Sequence, residues 1–195
     1  CKPATANQAE QLSIATNAYL YFYPLITMEY TRQVMSVADR QAKGPKFGAN
    51  KFNHLRAFPS GDLRSVVRPN FDTLYSLAWV NLDQGPIILS VPAIKDRFFM
   101  LTIFDMYADA IGVPGTGSVD QNGQKIVLVP PNWQGELPVN MSQIKATTQT
   151  LWVLGRVQTN GIEDYQYIHS LQDGFQLATM NGKPYIDAEF AGSMP

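Results

Sequence analysis

Arg68, Asn70, Asp72, Thr73 and Tyr75 crowd into the run Val66–Val80, V-V-R-P-N-F-D-T-L-Y-S-L-A-W-V, beside a strongly apolar tail. Arg68 offers a planar fork that grips a carboxylate, whether that of Asp72, of another residue, or of an anionic ligand. Asn70 and Asp72 suit a turn, because their side chains bond nearby backbone N–H groups. Two readings follow: a structural Arg–Asp pair with an Asx turn at a strand entry, or a ligand site at that corner. Asp105 and Asp109 form a second group around Tyr107. Paired carboxylates are the minimum for glycoside hydrolysis, but on a strand residues i and i+4 stand about 13 Å apart. Oxygen-rich metal sites recruit more ligands than these two, so no metal is expected. His54, one of two histidines, is either an acid–base group or a packing ring. With Arg156 in a later strand, the expected binding set is Arg68, Asn70, Asp72, Tyr75, Asp105, Tyr107 and Arg156, three motifs brought together by the fold.

These groups need elements to hold them. Pro69 fixes its own φ and pushes Arg68 toward extended geometry, so a turn over Arg68–Asp72 is expected, then a strand over about Thr73–Asn81. Tyr, Trp, Thr and Val favour the strand there. Further strands are expected at Ile87–Val91, Arg97–Phe104, Lys125–Val129 and Gln149–Val157. Gly112–Gly117 lacks the ending of a phosphate-binding loop and reads as a hairpin end. Trp133 lies in a turn, where exposure would give it interest. Ile162–Leu177 has helical spacing. Upstream, Gln8–Ala38 is helical, with Pro24 expected to interrupt it and a second helix over about Pro24–Asp39. Tyr19–Leu25 is aromatic on all sides, which predicts burial, with Tyr19, Tyr21, Tyr23 and Tyr30 either core residues whose hydroxyls bond at the margin or the lining of a pocket. Residues 40–65 read as a long irregular connection. The expected organisation is a flexible leader over 1–8, a helical region over 9–64 packed on the body, a β body over 65–180, and a tail or linker over 181–195.

Composition bounds the function. The chain has 195 residues, enough for one substantial core, and a net charge of −1, which argues against a broad nucleic-acid surface. Fourteen glycines and thirteen prolines predict many turns and a mainly β body. The single cysteine, Cys1, excludes an internal disulfide. Followed by a polar run, it has the look of a mature bacterial lipoprotein with Cys1 as lipid acceptor, or of a boundary that happens to fall there. No run of about 18 apolar residues appears. There is no Gly-x-Ser-x-Gly, no His-Glu-x-x-His and no dinucleotide fingerprint, and no cofactor is implied.

Five ordered motifs carry a resemblance: Val67–Ser76, Phe99–Tyr107, Val129–Gly135, Trp152–Arg156 and Leu171–Phe175. Together they resemble the bacterial domain-of-unknown-function family 1254 over roughly Gln11 to Leu177. The resemblance implies an α+β, mainly β fold: an immunoglobulin-like antiparallel β-sandwich with N-terminal helices and a late helix, in exported proteins and lipoproteins. A second, jelly-roll-like domain often follows in that family, and no catalytic residues carry over. The leading expectation is an exported, membrane-tethered domain in the periplasm or cell envelope, holding a small polar or anionic ligand. A hydrolase pairing Asp72 or Asp105 with Tyr107 or His54 is the second, and requires both groups within reach of one substrate atom. The third is a structural domain whose apolar helices dock on a second β domain or another subunit; an exposed aromatic face on Tyr19–Leu25 would favour it.

Overall fold

The computed structural model describes residues 6–41, 48–59 and 70–182. Helix α1 (Ala6–Gln41) is followed by β1 (Asn53–His54), β2 (Thr73–Asn81), β3 (Ile87–Val91), β4 (Phe99–Phe104), β5 (Ala110–Gly112), β6 (Gln124–Val129), β7 (Ser142–Lys145), β8 (Thr150–Gln158), a 3-10 turn (Ile162–Asp164), α2 (Tyr165–Asp173) and β9 (Gln176–Thr179). The strands form two sheets, ordered β1-β2-β8-β4-β5 and β7-β6-β3-β9. Side chains of both sheets and of α2 meet in one core that includes Leu74, Val80, Leu89, Leu101, Leu128, Val153, Ile168 and Leu177. The architecture is α+β and mainly β.

Alternation along β2 and β8 positions everything that matters here. Leu74, Ser76, Ala78 and Val80 of β2 are buried toward the core, as are Leu151, Val153, Gly155 and Val157 of β8. The intervening residues pair on the outer face: Tyr75 with Arg156, Leu77 with Leu154, Trp79 with Trp152. Side chains on one face of a strand recur every second residue, so this face is a ladder of three cross-strand pairs. The first sheet ends in the short strands β1 and β5, which leave little exposed edge for pairing.

Four expectations are corrected. Pro24 does not interrupt the N-terminal helix, which runs on as one α-helix. Proline removes the bond to the carbonyl four residues earlier, and at Leu20 that carbonyl lies on an exposed stretch where water can take the donor's place. The aromatic segment is not buried: Tyr19, Leu20, Tyr21, Phe22 and Tyr23 are all exposed. The second half of α1 packs its apolar side on the body, with Leu25, Met28 and Met35 against Trp79, Trp152, Phe104 and Met106, and Tyr21 of the first half touches Tyr107. The late helix stops at Asp173, and Gln176–Thr179 pairs with β3 as β9. The second sheet is mixed, because β6 and β7 run parallel. Among the described residues no helix is long and apolar enough to cross a membrane.

Candidate functional site

The turn into β2 is built by Asn70. Its Oδ1 accepts the N–H of Asp72 at 3.1 Å, the N–H of Thr73 at 2.8 Å and the hydroxyl of Thr73 at 3.0 Å. That is the Asx turn expected of this stretch, made by Asn70 rather than Asp72. The Asn70 amide donates in turn to the Tyr75 hydroxyl, which keeps that hydroxyl's own proton available. Asp72 is exposed, and its backbone carbonyl accepts Thr159 N–H. Arg68 lies outside the described residues.

Register brings Arg156 over Tyr75: the guanidinium carbon sits 5.2 Å from the ring centroid, within cation–π range. Arg156 Nε is buried and has no hydrogen-bond partner. None of the ion pairs among the described residues involves it. Asn70, Tyr75 and Arg156 therefore form one corner at one end of the outer ladder. At its other end Trp79 and Trp152 stack with centroids 5.6 Å apart and planes 15° apart, and both indole N–H groups are likewise buried without partners.

Asp105 and Tyr107 do not join this corner. Arg156 pairs with Met100 on β4, and Asp105 stands five residues further along the chain, roughly 17 Å if the chain stays extended. Asp105 is buried, and its carboxylate is spent on structure. Oδ1 accepts the N–H groups of Tyr107 at 2.8 Å and Asp109 at 3.0 Å, and Oδ2 accepts the Thr147 hydroxyl at 2.5 Å. Tyr107 donates to the Tyr21 hydroxyl at 3.2 Å; that bond, then burial, raises its pKa. Among the described residues no group of three or more His, Cys, Asp or Glu is placed to hold a metal.

A polar cluster on the β1 side went unrecognised in the sequence. His54 Nδ1 and Ser76 Oγ are 2.9 Å apart, the geometry of a base and its nucleophile. Ser76 has no exposed surface, so the pair fastens β1 to β2 and presents no nucleophile to a substrate. Gln172, also fully buried, donates to the carbonyls of Leu55 and Tyr75 and accepts from Arg56. Arg56 further pairs with Asp173. The Leu-Gln-Asp-Gly-Phe motif is thus a clamp between α2 and the segment entering β1. Its one visible signal was a glutamine on the otherwise apolar face of a helix.

Burial, reinforced by the Arg56 charge, lowers the His54 pKa to about 4, against a partial upward pull from Asp173. The unfolded histidine takes up its proton near pH 6.5, so between pH 6.5 and 4 the unfolded chain binds more protons. The stability from neutral His54 is complete above about pH 6.5 and is lost as the pH falls toward 4. Allowing for its partial exposure, the loss is about 1–2 kcal/mol. His54→Gln, which keeps a partner for Ser76, should flatten that part of the stability curve measured by denaturant titration. Parallel curves for the two proteins would refute the assignment.

The fold and corner define a class: a two-sheet, mainly β domain with a helical arm and a small polar corner on its outer face. Residues 49–179 match the family described as protein of unknown function, DUF1254, and the chain belongs to that family. No curated protein matches the sequence. Among solved structures the chain is similar to the VPA0106 protein of Vibrio parahaemolyticus, with a TM-score of 0.69 at 20% identity, over 91% of this chain and 43% of that one. An uncharacterized protein of Burkholderia cenocepacia aligns with a TM-score of 0.47 at 12% identity, over 89% of this chain and 44% of that one. The chain spans less than half the length of either.

Proposed function

We propose that this chain is an exported, membrane-tethered accessory domain whose outer corner holds a small anionic ligand. The sheet pair is read as a variant of the immunoglobulin-like sandwich, an interpretation supported by the shared core of the two sheets. The observation that carries the binding reading is Arg156: a buried Nε with no partner, on a guanidinium stacked over Tyr75. Burying a charged donor without an acceptor is costly, and a carboxylate or phosphate oxygen entering the corner removes that cost. The Tyr75 hydroxyl, already holding the Asn70 amide, is the second donor. Leu77 and Leu154 lie beyond as an apolar floor, so a compact carboxylate with an apolar body fits better than a bare ion.

Benzoate and inorganic phosphate are suitable probes, followed by calorimetric titration and by chemical shifts of the Arg156 side chain. Benzoate should bind more tightly than phosphate. Arg156→Gln should weaken benzoate by about tenfold to a hundredfold, the worth of one charge-assisted contact. Equal binding to wild type and variant, or none to wild type, would remove the corner as a site. The hydrolase reading loses support, because Asp105 is committed to structure and His54 faces a serine with no exposed surface.

A further inference from the structure

Helix α1 has two faces, and its own body uses one. Leu25, Met28 and Met35 pack inward. On the opposite side Leu12, Tyr19, Tyr23, Ile26 and Tyr30 succeed one another at spacings of seven, four, three and four, so they line one stripe of the helix. All five are 55–67% exposed. The stripe runs from Leu12 to Tyr30, about 27 Å at the rise of an α-helix. From Gln11 to Met28 the helix carries no Asp, Glu, Lys or Arg. A seam of this length and spacing, bare of charge, is the pattern of a helix that lies against another helix.

We infer that α1 pairs antiparallel with α1 of a second copy of this chain, through this stripe. The stripe is self-complementary about a two-fold axis at the level of residue 21: Leu12 falls opposite Tyr30, and Tyr19 opposite Tyr23. A symmetric dimer requires that each residue find its partner in the same patch on the other subunit; four of the five pair within the stripe, and Ile26 falls opposite Thr16, which is exposed beside it. At roughly 120 Å² of exposed surface for each large side chain, the five supply about 600 Å², and the flanking Phe22 and Val34 bring the patch near the ~800 Å² per partner of a stable interface. The tyrosines suit such a seam, since their rings bury while the hydroxyls reach its polar margin. The inference stands apart from the ligand reading, because the stripe faces away from the corner.

Light scattering coupled to gel filtration tests it directly on the full chain. A mass near twice 21.7 kDa is expected at 10–100 µM, roughly the range a standard-size interface supports; a monomer throughout that range overturns the inference. Tyr19→Glu with Tyr23→Glu should give a monomer whose body melts as in wild type. Oxidative cross-linking in a Cys1→Ser background fixes the direction without relying on that variant. A mixture of Tyr19→Cys and Tyr23→Cys chains should cross-link, and Tyr19→Cys alone should not. Efficient cross-linking of Tyr19→Cys alone, the signature of a parallel pair, also overturns it.

Discussion

Asp105→Ala is expected to destabilise the fold by about 3 kcal/mol, a large share of the roughly 5–15 kcal/mol that holds a domain of this size together. The carboxylate closes the turn between β4 and β5 by accepting two backbone N–H groups, and it reaches across to the Thr147 hydroxyl. Asp105 N–H donates to the Asp109 carbonyl, and Ala108 sits at φ 65° within the same turn. Left-handed backbone costs a non-glycine residue about 1 kcal/mol, so the turn is held by these bonds rather than by local preference. Alanine removes three acceptor contacts at once and leaves donors stranded beside a core strand. Asp105→Asn keeps an oxygen for the two N–H groups and should cost less than half as much. Urea unfolding of the three proteins decides the matter. If alanine costs under 1 kcal/mol, the carboxylate is not structural, and its place among candidate acid–base groups reopens.

That prediction reverses the expectation drawn from the sequence, and the reason is physical. A carboxylate beside a tyrosine reads the same whether it faces water or a turn; the difference lies in the partners the chain folds against it, here a threonine 42 residues away. Local features fared better. The alternation of Thr73–Asn81 and of Leu151–Val157 is visible by eye, and both are strands. The Asx turn at Asn70 is equally local. The Tyr75–Arg156 contact was not readable, because it depends on the register between strands some 80 residues apart. Strand β7, Ser-Gln-Ile-Lys, has no hydrophobic period, and its parallel pairing with β6 leaves no mark in composition. The aromatic segment of α1 misled for another reason. An apolar helix is normally buried, but the sequence does not say by what, and here only the inward face of its second half meets the chain's own sheet. Phe175 keeps helical spacing with Ile168 and Leu171, which extended the expected helix past Gly174. At Gly174 a side chain would strike Pro92 at 2.5 Å, so the chain turns there and enters β9.

Gly155 has little room for a side chain, and Gly155→Val is expected to cost more than about 4 kcal/mol, most of the stability of a domain at the low end of the usual range. The residue sits in β8 between Ser76 of β2 and Leu101 of β4, its register partners on either side. A methyl group on Gly155 would point into the core and lie 2.6 Å from Leu101 Cδ2, 2.9 Å from the Ser76 carbonyl oxygen and 3.2 Å from Ser76 Cβ. The leucine tip can turn aside. The carbonyl belongs to a paired strand and cannot, and Ser76 is further pinned by His54. Alanine alone should therefore cost about 2–3 kcal/mol, while Gly48→Ala, with nothing within 4 Å, should be close to neutral. Glycine next to a guanidinium is also the pattern of a backbone making room for a ligand, so the two roles need separating. Gly155 faces the core and Arg156 the outer face, on opposite sides of one strand. Gly155→Ala should lower the melting temperature and leave benzoate affinity at the corner unchanged in the folded protein. A variant with normal stability and impaired binding would put Gly155 in the site and take it out of the core.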